Sequence, residues 1–110
     1  MIEIQLRFKN SVLKTIETDR DEITIGRKRN NTIEIDNLQV SNKHARIIKH
    51  ADTYFIEDLN STNCTFLNDQ KVTKAPLRDK DIITIGKHTL VINFIQEKPD
   101  NDMSDPTYAV

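Results

Sequence analysis

Ile2-Glu3-Ile4-Gln5-Leu6-Arg7-Phe8-Lys9 alternates apolar and polar residues without a break. Successive side chains of a strand point to opposite faces, so this spacing predicts a strand with one buried and one wetted side. The same period returns along the chain. Val12 to Glu17 reads as a second strand, Ile23 and Ile25 mark a third that stops at Gly26, and Ile33-Glu34-Ile35 is a brief fourth. Ala45 to Lys49 and Tyr54 to Asp58 form a hairpin joined through His50-Ala51-Asp52-Thr53, and Cys64 to Leu67 and Gln70 to Val72 flank Asn68-Asp69. Asp81 to Gly86 and Thr89 to Ile95 close the series, turning at Gly86-Lys87-His88. No stretch carries apolar residues at i, i+3, i+4 and i+7, so no helix is expected. About ten or eleven short strands, with turns roughly every eight to twelve residues, indicate an all-β fold, a twisted antiparallel β-sandwich.

The chain has 110 residues, enough for one small domain with a modest core. Residues 1–96 are expected to be that domain. Residues 97–110 hold Pro99, Pro106, acids and little apolar content, and are expected to be a disordered tail or linker. Only two glycines serve all the turns, so asparagine, which tolerates positive φ, is expected to substitute for it; seven Asn lie between Asn30 and Asn68. A net charge of −1 offers no global attraction for nucleic acid, and any basic surface must be local. No apolar run reaches the length of a membrane span, and Met1 leads into Ile2-Glu3-Ile4 with no basic segment or cleavage site, so a cytoplasmic protein is expected. A lone cysteine, Cys64, excludes an internal disulfide and a multi-cysteine metal site.

Three polar groups sit where strands run into loops: Gly26-Arg27, Ser41-Asn42-Lys43-His44 and Asn60-Ser61-Thr62-Asn63. A strand scaffold could bring them to one edge as a cluster of guanidinium, hydroxyl and amide donors, which suits a phosphate. Arg27 carries a planar fork that can bond a phosphate dianion twice. Taken singly, each residue has a plainer reading: Arg27 as a surface ion pair, Ser41 as a turn former, Asn42 and Lys43 as solvated loop residues. A catalytic reading of Ser41 with His44 and Asp58 fails, because residues three apart at a strand entrance do not align hydroxyl and imidazole, and no nucleophile elbow is present. Cys64 lacks the arginine six residues on that a cysteine phosphatase needs; Gln70 stands there. His50 and His88 are isolated at turns, so no metal site is expected.

In order and separation these motifs resemble the forkhead-associated (FHA) domain, a phosphothreonine-binding module that carries G-R, then S-x-x-H, then N-S/T-x-N-G. Thr65-Phe66-Leu67-Asn68 and Asp81-Ile82-Ile83-Thr84-Ile85-Gly86 match as well, so the resemblance covers Met1 to Ile95. Two positions depart from the pattern: Cys64 replaces a glycine, and Asn68-Asp69 replaces the usual Asn-Gly turn.

The resemblance implies a sandwich with its binding loops at one end and recognition of phosphothreonine without catalysis or cofactor. Arg27, Ser41, Asn42 and Thr62 would then bind the phosphate and Asn63 the peptide main chain, with Gln39, Lys43 and Asn68 as additional peptide contacts. Gly26 and His44 would support the loops. Gln39 stands in the loop with which the family reads the third residue after the phosphothreonine, and its neutral amide implies a polar preference. Lys28, Arg29, Lys43 and Arg46 could add a basic rim. The expected role is a monomeric signalling adaptor whose partner is a phosphothreonine-containing protein, a Ser/Thr kinase or its substrate, with no nucleic acid or membrane. Tail Thr107, if phosphorylated, could occupy the site in cis or in trans. The competing class is a phosphate-independent interaction or oligomerisation module.

Overall fold

A computed structural model describes residues 1–95. The expected tail at 97–110, with Thr107, lies outside the described residues. Within them are eleven strands and no helix: β1 (Ile2–Phe8), β2 (Ser11–Thr18), β3 (Glu22–Gly26), β4 (Ile33–Glu34), β5 (Ala45–His50), β6 (Thr53–Asp58), β7 (Thr65–Leu67), β8 (Gln70–Val72), β9 (Lys74–Pro76), β10 (Ile82–Ile85) and β11 (His88–Phe94). One sheet has the order β2-β1-β11-β10-β7-β8 and the other β4-β3-β5-β6-β9. The period-2 pattern decides what lies between them. Ile2, Ile4 and Leu6 of β1, Ile23 and Ile25 of β3, Ile47, Ile56, Ile83, Ile85, Leu90 and Ile92 are all buried in one core. β-branched isoleucine suits this position because its stiff side chain packs well on a pleated surface.

Two features depart from the sequence reading. β3 and β4 pair in parallel, Ile25 opposite Ile33 and Gly26 opposite Glu34. After β3 the chain doubles back through Arg27–Asn31, is caught where the Thr24 and Thr32 side chains accept each other's backbone N–H, and so sets off again in the same direction. β9 was not foreseen either: Lys74-Ala75-Pro76 has little β propensity, and it is a strand because it pairs with Phe55–Glu57 of β6. Pro76 is tolerated there because β9 is an edge.

Asparagine takes only part of the turn duty expected of it. Seven non-glycine residues have positive φ: Lys9, Ala51, Asn60, Cys64, Asn68, Asp69 and Lys80. Both sequence departures fall among them, Cys64 at φ 69° and Asn68-Asp69 at 50° and 69°. With Leu67 opposite Gln70, Asn68-Asp69 is a two-residue hairpin with both φ positive, the type that favours Asn-Gly. Exchanging Asp69 for glycine removes the steric cost of the second left-handed residue and should raise stability by about 0.5–1 kcal/mol, less the entropy glycine adds to the unfolded chain. Urea unfolding reads this out; a lower midpoint would show that the Asp69 side chain contributes more than its conformation costs.

The register also sorts the loops between the two ends of the sandwich. At one end lie the β1–β2 turn, the loops following β3, β4 and β6, and the β10–β11 turn; their charged residues are Lys9, Arg27, Lys28, Arg29, Lys43 and Lys87 against Asp36 alone. The loops of the other end hold Asp19, Asp21, Asp52, Asp69, Asp79 and Asp81, with Arg20, Arg78 and Lys80. A chain of near-zero net charge is therefore strongly polarised along its strands. Arg46 is not part of the basic end. It lies on an outer sheet face, bonded through Nη1 to Glu22 at 2.8 Å and through Nε to Glu57 at 2.7 Å.

Candidate functional site

Gly26 ends β3 as a buried residue, and this allows the two loops beside it to close on each other. A Cβ at Gly26 would fall 2.2 Å from the Asn42 carbonyl oxygen and 2.8 Å from Asn31 Nδ2, so only glycine fits the gap. Through it the backbone of the first loop meets the second: Arg27 N–H donates to the Ser41 carbonyl at 3.0 Å, and His44 N–H to the Ile25 carbonyl at 2.9 Å. Asn31 completes the join. Its buried amide donates to the carbonyls of Lys28 and Asn42, each at 2.8 Å. Nothing in the sequence separated Asn31 from its neighbour Asn30.

His44 joins the second loop to the third. It is fully buried, and its Nδ1 accepts the Ser41 backbone N–H at 3.0 Å. A nitrogen that accepts carries no proton, so the neutral ring has its proton on Nε2, which donates to the Cys64 carbonyl at 2.8 Å. His44 therefore acts as a strut between backbone groups, as the resemblance implied, and its nitrogens are both occupied. Asp58 does a related job inside the third loop. Its carboxylate accepts from the Ser61 hydroxyl, from Ser61 N–H at 3.1 Å and from the Thr65 hydroxyl at 2.7 Å. Partial burial pushes its pKa up, but these hydrogen bonds outweigh burial and hold it below the ordinary carboxylate value. The Asp58–Ser61 spacing, a carboxylate bonding the backbone three residues on, was the available signal for this role.

On this frame the phosphate-type donors come together. Thr62 N–H donates to Ser41 Oγ at 3.1 Å, so the second and third loops touch through the two residues expected to hold a phosphate. The Arg27 guanidinium donates from Nε and Nη2 to Asn42 Oδ1 at 3.3 and 3.1 Å, which keeps its fork beside the same loop. Asn63 Nδ2 donates to the Gln39 carbonyl at 2.8 Å, leaving its Oδ1 able to accept a peptide N–H. Lys43 and Gln39 are exposed at the same end. Asn68 is not with them. It lies beyond the far end of β7, about 10 Å of strand past Thr65, and its amide is engaged with Asp81 Oδ1 and Ile82 N–H, each at 3.0 Å. Next to Gln39, Leu38 is 89% exposed, the most exposed large hydrophobic residue among those described. Its place between polar neighbours gave no warning of this.

The family profile of the FHA domain matches residues 23–86, from the start of β3 to the turn after β10. The chain belongs to the FHA domain family. It is 37% identical over 78 residues to an FHA domain-containing protein of Arabidopsis thaliana, a match covering 66% of this chain and 20% of that protein. It is 33% identical over 73 residues to the oxoglutarate dehydrogenase inhibitor of Corynebacterium jeikeium, covering 66% of this chain and 51% of the relative. The chain thus spans about half or less of the length of these relatives. Among solved structures, EmbR of Mycobacterium tuberculosis in complex with a low-affinity phosphopeptide superposes with a TM-score of 0.74 at 27% identity, over 83% of this chain and 24% of that one. The three motifs that define this FHA domain's loops are thus the residues that its fold joins by hydrogen bonds. No helix among the described residues is long and apolar enough to cross a membrane.

Proposed function

We propose that this FHA domain recognises a phosphothreonine-containing segment of another protein and performs no chemistry on it, acting as a cytoplasmic signalling adaptor downstream of a Ser/Thr kinase. The observation that carries this reading is the contact of Ser41 with Thr62 beside the Arg27–Asn42 pair: donors from three loops converge where the fold has no carboxylate to receive them. Arg27, Ser41, Asn42 and Thr62 take the phosphate oxygens, and Asn63 bonds the ligand main chain. The basic end of the sandwich supports the same reading, since its field draws a dianion toward these loops and turns the acidic end away. The phosphopeptide bound to EmbR supports it from a relative of the same fold.

Charge-assisted hydrogen bonds contribute roughly 1.5–3 kcal/mol each, so two or three of them reach micromolar affinity, about −8 kcal/mol, after ordering costs. Replacing Arg27 with alanine should cost about 2 kcal/mol or more, roughly a 30-fold weaker Kd. Matched phosphorylated and plain peptides, titrated against wild type and Arg27→Ala, test this. Equal affinity for the two peptides would defeat the reading and favour a phosphate-independent interaction module.

A further inference from the structure

We propose that Lys9 and Lys87 form a second anion locus at the same end of the sandwich. It takes an acidic side chain, carboxylate or phosphate, on the segment that carries the phosphothreonine. This deepens the proposed function and rests on it.

Phe8 and His88 are the last paired residues of β1 and β11. One more step of that register sets Lys9 opposite Lys87, in two adjacent two-residue turns. Like charges directly opposite on neighbouring strands are destabilising, and carboxylates normally relieve them. None does so here: among the described residues only Arg46 forms ion pairs, and both lysines are exposed. Asp36 is the one acid in the loops of this end. The pair is also held in place. The Lys9 ammonium lies 5.5 Å from the centroid of the Phe8 ring, which packs on the His88 ring at 4.8 Å. Burial depresses the pKa of His88, so that ring stays neutral and leaves the lysines as the only charges of the two turns.

The locus is continuous with the phosphate-binding loops. Gly86, next to Lys87, sits against Gln39 and Val40, its notional Cβ 3.4 Å from Gln39 Cβ and 3.5 Å from Val40 Cγ2. Ser41 follows directly, and Asn63 is bonded to Gln39. From Ser41 to Lys87 is therefore on the order of 10–15 Å, a span that an extended peptide covers in about three to five residues. A ligand anchored by its phosphate and crossing Gln39 reaches the two lysines with a side chain at that distance. Two unpaired cations facing one acidic group convert a cross-strand repulsion into attraction, which explains why a fold would keep them.

The test is a titration of the full chain with phosphothreonine peptides that carry alanine, glutamate or phosphoserine three to five residues to either side. Wild type should bind the glutamate and phosphoserine peptides about five- to tenfold tighter than the alanine peptide, the advantage shrinking with added salt. In Lys87→Ala, and more fully in Lys9→Ala/Lys87→Ala, the preference should vanish while the alanine peptide binds as to wild type. Indifference of wild type to the flanking charge, or a preference that survives in the double variant, would overturn the inference. In both of those cases continued dependence on the phosphothreonine leaves the proposed function standing. Loss of that dependence removes the foundation of both.

Discussion

Alanine at Gly26 is expected to cost about 2–3 kcal/mol of stability and to weaken phosphopeptide binding at least tenfold. The added Cβ would lie 2.2 Å from a backbone oxygen, that of Asn42, with no flexible side chain there to swing aside. Overpacking of a closed site typically costs about 1–3 kcal/mol, and relief here requires moving the loop that carries Ser41 and Asn42. That movement would break the Asn31 bonds to Lys28 and Asn42 and the Arg27–Ser41 backbone bond, which together fix the angle between the loops. Urea unfolding and peptide titration on one preparation separate the two losses. Binding at wild-type strength would show that the close approach at Gly26 does not position the site.

A second large loss is expected from His44→Phe, which keeps an aromatic ring of similar bulk in the fully buried site but removes both nitrogens. The Ser41 N–H and the Cys64 carbonyl would then lack their partner, and a buried group left unsatisfied costs about 1–3 kcal/mol. The expected sum is about 2–4 kcal/mol, with a loss of phosphopeptide affinity because Ser41 and the Cys64 end of the third loop are no longer tied together. Hydrogen exchange at the Ser41 amide follows the first bond directly. A variant that loses stability but keeps full affinity would assign His44 to folding alone.

The family relationship bears on what these losses mean. In this FHA domain the phosphate-type residues stand on irregular loops, and loops hold a precise geometry only when their backbone groups are tied down. The ties are supplied by Gly26, Asn31, His44 and Asp58, none of which is proposed to touch ligand. Binding should therefore be as sensitive to these supports as to the donors themselves.

The amino-acid sequence by itself determined the strands, the two sheet faces and the membership of the site. Alternation at β1, β3, β5, β6, β10 and β11 dictates which side chains must leave water, and a period of two is a property of the strand alone. Gly26-Arg27, Ser41 to His44 and Asn60 to Asn63 announced the binding loops because their residue types and spacings were matched together. Tertiary structure alone decided what depends on contacts between distant segments. The parallel approach of β4 to β3 and the strand at Lys74–Pro76 exist only because a partner backbone was there to pair with. Asn31 differs from Asn30 only by being turned inward against Asn42, Asn68 falls at the wrong end of a three-residue strand, and Arg46 is claimed by Glu22 and Glu57. The polarised loops belong to the same class. Charges scattered along a near-neutral chain become a basic and an acidic end only when antiparallel strands return alternate turns to the same side.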